Sequence, residues 1–81
     1  MSTSDQPKHR YLYLEQRDPV LMGQQLTYAL NRITEAGGEI LHCSTQVYYD
    51  QSVGAAMWIG HVVARVAGNP LAGDEAQFTW Q

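Results

Sequence analysis

The chain has 81 residues, a formal net charge of −3 and a pI near 5.4, which together allow one small acidic domain. Such a domain buries only ~60% of the surface that its unfolded chain exposes, so its core is marginal and oligomerisation is a common way to stabilise it. The acidic balance disfavours DNA or RNA as a partner, because binding a phosphate backbone requires a basic patch.

Cysteine usage and hydropathy favour a soluble protein of the cytoplasm. If the gene is viral, this would be the cytoplasm of the host cell. Cys43 is the only cysteine, which excludes an intrachain disulfide and fits a reducing compartment. The start of the chain lacks the apolar run of a signal peptide. No stretch of ~18 apolar residues is present, so we expect no membrane-spanning segment.

The N-terminal part predicts an arm followed by a strand. Residues 1–8 are polar and are expected to form a flexible arm. Residues 9–15 alternate in character, with Leu12 and Leu14 on one side and the tyrosines Tyr11 and Tyr13 between them. Alternation and tyrosine both favour a β-strand.

The next segment predicts one amphipathic helix. Asp18 suits an N-cap, and Pro19 suits the first helical position because its missing N–H would have no helical partner there. The apolar residues then recur at helical spacing; they are Met22, Leu26, Ala29, Leu30 and Ile33. Two glycines, Gly37 and Gly38, end the helix.

Residues 39–49 and 55–66 predict two long strands of a hairpin joined by residues 50–54. Placing Val47 opposite Trp58 and Thr45 opposite Gly60 gathers the more apolar residues of both strands on one side, which selects this register. Gly60 would then let the helix approach the sheet closely. The residues expected on this core side are Leu41, Cys43, Thr45, Val47, Trp58, Gly60, Val62, Ala64 and Val66.

The predicted fold class is α+β, a β-α-β-β domain over residues 9–67. We expect a three-stranded, mainly antiparallel sheet with the third strand in the middle and one helix on one face. Residues 68–81 form a tail, in which Phe78 and Trp80 are large aromatics that we expect to dock on the domain or to anchor a partner.

One helix leaves the other side of the sheet, here called the uncovered face, without a second layer. Its mixed apolar and polar composition is typical of a contact surface, so we expect self-association through it. Arginines bind phosphates and tyrosines stack on bases, which leaves open a small nucleotide-like ligand held between copies. The residues assigned to this interface or ligand site are Arg10, Tyr11, Tyr13, His42, Gln46, Tyr48, His61 and Arg65.

Catalytic and metal chemistry find little support in the sequence. His42 and Cys43 are adjacent and would point to opposite faces of a strand, and no metal-binding spacing links the histidines. Ser44 lies between His42 and, in the predicted register, His61, but the nearest acid in sequence, Asp50, belongs to the hairpin loop. We expect no catalytic residue, no metal and no cofactor.

The chain resembles a group of very small bacterial and phage β-α-β-β proteins, including a sporulation-associated small-domain type. The resemblance rests on residues 26–33, 38–45 and 56–59 and covers roughly residues 10–66. The topology is also similar to that of dodecin, a flavin-storing hollow oligomer. Dodecin-like proteins stack a tryptophan of the second strand on flavin, and the second strand here has no tryptophan, so the resemblance implies the fold and not flavin binding.

These observations predict a non-enzymatic binding protein that acts as a homo-oligomer. A phage-encoded inhibitor or sponge that sequesters a nucleotide-like ligand of host defence fits this description, because sequestration needs affinity and no reactive residue. Two alternatives stay open. The first is an interaction module that docks on a partner enzyme and inhibits it through the tail or a sheet edge. The second is an enzyme whose composite site around His42, Ser44 and His61 lies between subunits.

Overall fold

A computed structural model describes residues 6–74 and 78–81. Their elements follow the order β1 (Lys8–Gln16), α1 (Pro19–Glu35), β2 (Glu39–Asp50), β3 (Ala55–Val66) and β4 (Thr79–Trp80). The strands form one antiparallel sheet in the order β2-β3-β1-β4. The predicted α+β class and the central position of β3 are confirmed. The sheet has four strands rather than the three expected, because the tail adds β4.

Helix α1 begins and ends at the residues that its sequence predicts. The Asp18 carboxylate accepts a hydrogen bond from the backbone N–H of Val20 at 2.9 Å, and Pro19 occupies the first turn. At the other end Gly37 adopts a φ of 82°, and the N–H of Gly38 donates to the carbonyl of Ile33 at 2.9 Å. A positive φ favours glycine, so this pair ends the helix.

The core lies between α1 and the two central strands. Leucines of β1, small and branched residues of β3 and the apolar stripe of α1 are buried together. The buried hydrophobic residues are Leu12, Leu14, Met22, Leu26, Ala29, Ile33, Val62, Ala64, Val66, Leu71 and Phe78.

The hairpin register agrees with the prediction over most of its length. Val47 lies opposite Trp58 and Thr45 opposite Gly60. The register shifts between Ile40 and His42, so Leu41 is an extra residue, a β-bulge. Ile40 therefore pairs with Ala64 and packs against the core in place of Leu41.

The expectation that β2 contributes a row of core residues is wrong. Leu41 is 45% exposed and Val47 51% exposed, and Thr45 and Cys43 are exposed too. β2 is an edge strand, and apart from Ile40 the strand residues that pack with the buried side of α1 belong mainly to β1 and β3. Cys43 is accordingly an exposed thiol and not a small buried hydrophobe.

The tail packs against the rest of the domain. Phe78 is buried in the core, and Trp80 belongs to β4, opposite Leu12 of β1. Backbone hydrogen bonds of 2.9 and 3.0 Å join Tyr11 and Gln81. On the helix side Tyr28 stacks on Phe78, with ring centroids 6.4 Å apart, and donates to Asp74 at 3.0 Å. Both tail aromatics thus make intramolecular contacts.

Two glycine substitutions should have opposite effects on stability. A Cβ on Gly38 would lie 2.7 Å from Ile33 Cγ2 and 2.9 Å from Val66 Cβ, so Gly38→Ala should destabilise the fold by about 1–3 kcal/mol through overpacking. A Cβ on Gly23 would meet nothing within 4 Å, so Gly23→Ala should stabilise α1 by ~1 kcal/mol. Urea denaturation measures both, and equal effects of the two substitutions would contradict the close contact at Gly38.

Candidate functional site

The uncovered face is built from alternate residues of three strands. Side chains of a strand alternate between the two sides of its sheet, so residues two apart share a side. The register then places one set from each strand on the side opposite α1. The set consists of His9, Tyr11, Tyr13 and Glu15 of β1, Glu39, His42, Ser44, Gln46, Tyr48 and Asp50 of β2, and Ala55, Met57, Ile59, His61, Val63 and Arg65 of β3.

The centre of the uncovered face is an aromatic cluster around His61. A hydrogen bond joins the hydroxyl of Tyr11 and Nδ1 of His61. Tyr13 meets the same imidazole edge-on, with ring centroids 5.4 Å apart. All three side chains are half-buried, so their rings are held in place by neighbours while one side of the cluster stays open to solvent.

Glu15 joins two phenols from strands that are not neighbours in the sheet. Tyr48 of β2 reaches across β3 and donates to Glu15 Oε2 at 3.2 Å. The carboxylate also accepts from the Tyr13 hydroxyl. Removal from solvent, followed by these hydrogen bonds to Glu15, raises the pKa of both phenols above the usual value of 10.0. Glu15 therefore links the two phenols and extends to higher pH the range over which they stay protonated.

Most of the residues assigned to the site share this face, but they make separate contacts. Tyr11, Tyr13 and His61 form the cluster, and Tyr48 joins it through Glu15. The sequence interpretation missed Glu15, although its spacing of two and four residues from the tyrosines of β1 places it on their side.

Three further predicted residues lie outside this cluster. His42 Nε2 is 3.3 Å from Ser44 Oγ, whereas His61 bonds Tyr11, so the two histidines do not converge on Ser44. Gln46 and Arg65 share the uncovered face at exposed positions.

Arg10 does not lie on the uncovered face, contrary to the prediction. It is adjacent to Tyr11 and opposite Ala64, so its side chain projects to the helix side of the sheet. There its guanidinium lies over the ring of Trp80, 4.9 Å from the centroid, and donates to the carbonyl of Gly68 at 3.1 Å. Arg10 therefore holds the tail and leaves Arg65 as the one predicted arginine of the site.

A shallow groove of ≈ 610 Å³ opens on the outer side of α1, across the molecule from the uncovered face. It is lined by uncharged side chains, among them Val20, Thr27 and Tyr28, and by Gly23. Tyr28 is the titratable side chain among the lining residues, and its hydroxyl is already bonded to Asp74, so the groove by itself indicates no chemistry.

Within residues 6–74 and 78–81, no group of three or more His, Cys, Asp or Glu side chains is arranged to hold a metal ion. The same part of the chain contains no helix long and apolar enough to cross a membrane.

No protein-family model matches this chain, and no curated protein aligns with it significantly. The case for a function therefore depends on the geometry of the chain itself.

Substituting Glu15 should change the titration of two tyrosines. Glu15→Gln removes the carboxylate that raises the pKa of Tyr13 and Tyr48, so both phenols should ionise at lower pH, closer to 10.0. The raised pKa of the two phenols contributes stability that is present below pH 10.0 and is lost as pH rises from 10.0 through the raised pKa. The variant, whose phenol pKa values lie closer to 10.0, should therefore have less of this stability to lose at alkaline pH. Tyrosinate absorbance measures the titration. Glu39→Gln removes an equal charge from the far end of β2; an identical titration curve in both variants would contradict the role of Glu15.

Proposed function

We propose that the chain is a non-enzymatic binding protein that works as a homo-oligomer, with the uncovered face buried between copies. The observation that carries this proposal is the single layer of structure behind that face. Long strands of 12 residues each, β2 and β3, present it, and α1 lies entirely on the other side.

The composition of the uncovered face supports burial against another surface. Its centre contains apolar side chains that are only half-buried in one copy, namely Met57, Ile59 and Val63 beside the tyrosine–histidine cluster. Tyrosine combines an apolar ring with a polar tip and is enriched at interfaces for that reason. The hydroxyls of Tyr11 and Tyr48 already have partners within the chain, which lowers the cost of removing the face from water.

The ligand class that this surface favours is a small molecule with a nucleobase-like ring. Tyrosine faces stack on bases, and a carboxylate such as Glu15 accepts the amino groups of a base. Arg65 lies at the far end of the face, opposite His9 on one side and the carboxylate-bearing Glu39 on the other, so this end offers little net positive charge for an anionic group. Because Arg10 belongs to the other side of the sheet, stacking contributes more to this proposal than phosphate binding.

Sequestration suits this geometry better than catalysis. His42 and Ser44 are in contact, but they stand on an exposed edge strand, and the described hydrogen bonds of His42 involve no carboxylate. A nucleophile–base pair needs an orienting acid and a site that excludes water. A sponge needs only affinity and a surface that closes when copies associate.

Self-association should depend on the centre of the uncovered face. Ile59→Lys places a charge where a second copy would pack, so sedimentation at micromolar concentration should show smaller species than for the wild type. Val20→Lys makes the same type of change on the helix side, where Val20 is 66% exposed, and should leave the assembly unchanged. A strictly monomeric wild type, or equal behaviour of the two variants, would show that the face is not an interface.

Ligand retention should depend on the tyrosines of the same face. Native mass spectrometry of protein taken from cells should reveal a retained small molecule, and Tyr13→Leu should weaken its binding roughly tenfold, the value of one lost stacking contact. Tyr49→Leu is the matched control, since Tyr49 is 65% exposed and points to the other side of β2. Retention that is insensitive to Tyr13 would place the ligand elsewhere, and an assembly that retains no small molecule would contradict the ligand part of the proposal.

A further inference from the structure

The two long strands nearest the edges of the sheet, β1 and β2, differ in whether another segment pairs with their outer side. On one side β4 and the backbone hydrogen bonds between Tyr11 and Gln81 cover the middle of β1, from Tyr11 to Tyr13. On the other side β2 is paired with β3 alone, and its outer edge has no strand beside it in the part of the chain that the structure describes. A strand of 12 residues thus presents a row of unpaired backbone N–H and C=O groups.

The outer edge of β2 lacks the usual protection against pairing. Monomeric proteins blunt an edge with charged side chains, proline, bulges or a short strand. Residues 40–49 contain no charged residue, no proline and no glycine, and the one bulge lies near the start of the strand. Large apolar side chains are also exposed along this strand; they are Leu41, Val47, Tyr48 and Tyr49.

We propose that β2 pairs antiparallel with β2 of a second copy. A strand is the one structure that satisfies a row of unpaired backbone groups in register, and identical antiparallel strands form a closed two-fold dimer. The two-fold axis must then be perpendicular to the sheet. Both helices consequently lie on one side of the dimer, and both uncovered faces lie on the other.

The bulge and the positions of His42 and Asp50 select one register for this pairing. Beyond Leu41 the regular part of β2 is residues 42–50, and its middle residue is Gln46. Centring the dimer on Gln46 uses the whole regular segment and keeps the bulge outside the new ladder. It also places His42 of each copy opposite Asp50 of the other, where a ring N–H can donate to the carboxylate, and this contact occurs twice by symmetry. Centring nearer the start of the strand would bring Leu41 into the ladder.

The β2 pairing rests on the proposed function, since it assumes that the chain associates with itself. It adds the geometry of that association. Two four-stranded sheets become one eight-stranded sheet whose uncovered face is continuous. Packing two such dimers face to face would bury both faces and produce a tetramer. The tyrosine–histidine clusters of the four copies would then line the space between the two sheets.

Disulfide crosslinking tests the register directly. The test protein carries Gln46→Cys and Cys43→Ser, which leaves a single thiol at position 46. Directly opposed residues of an antiparallel pair have Cα atoms ~4.5–5.5 Å apart, within disulfide range, so mild oxidation should give a covalent dimer. In the same register the two copies of Cys43 are separated by ~20 Å along the strands, at ~3.4 Å per residue, so the wild type should not crosslink.

Edge and face variants separate this inference from the proposed function. In the test protein, added Val47→Lys should abolish the crosslink, while added Val53→Lys, in the hairpin loop and similarly exposed at 43%, should preserve it. Added Ile59→Lys should preserve the crosslink and remove only face packing. If the wild type is an oligomer but the test protein gives no crosslink through position 46, the face-packing proposal stands and the β2 pairing is wrong. Crosslinking of the wild type through Cys43 would overturn the register.

Discussion

One helix cannot cover this sheet, and the rest of the structure follows from that mismatch. A helix with its side chains is ~10–12 Å across, whereas neighbouring strands lie ~4.8 Å apart. Helix α1 therefore covers about two strands, and its buried stripe of Met22, Leu26, Ala29 and Ile33 accompanies buried residues of β1 and β3. β2 is left largely bare on both sides, and the far side of the sheet has no second layer.

The centre of the uncovered face is neither a core nor an ordinary surface because the polar groups of its aromatic residues are already paired. Tyr11 is bonded to His61, and Tyr13 and Tyr48 share the carboxylate of Glu15. The rings are thereby fixed while much of their apolar area stays accessible. A surface of this type loses little on dehydration, which is the property that an interface or a stacking site requires.

The tail pairs with β1 at one edge of the sheet, whereas the outer edge of β2 has no strand beside it among the described residues. Phe78 fills the core, Trp80 extends the sheet beside β1, and Arg10 lies over its indole ring. These contacts use aromatic residues inside the chain that a partner could otherwise have bound. The consequence is an asymmetric sheet: among the residues that the structure describes, the long strand β2 has no strand on its outer edge. An edge and a face are different surfaces, so association through β2 leaves the uncovered face accessible.

The sequence by itself determined the elements whose signals are local. The Asp18-Pro19 cap, the apolar spacing of α1 and the alternation of β2 and β3 predicted the helix, the hairpin and the Val47–Trp58 register, because capping and periodicity act over a few residues. Alternation also brought the tyrosines of β1 and His61 to one face. Tertiary structure alone decided that Leu41 forms a bulge, that Cys43 and Val47 are exposed, and that Arg10 turns toward Trp80. Exposure depends on how far one helix reaches across a sheet. The partners of Arg10, and Tyr48 as the second partner of Glu15, are distant in the chain, so no local pattern encodes those contacts.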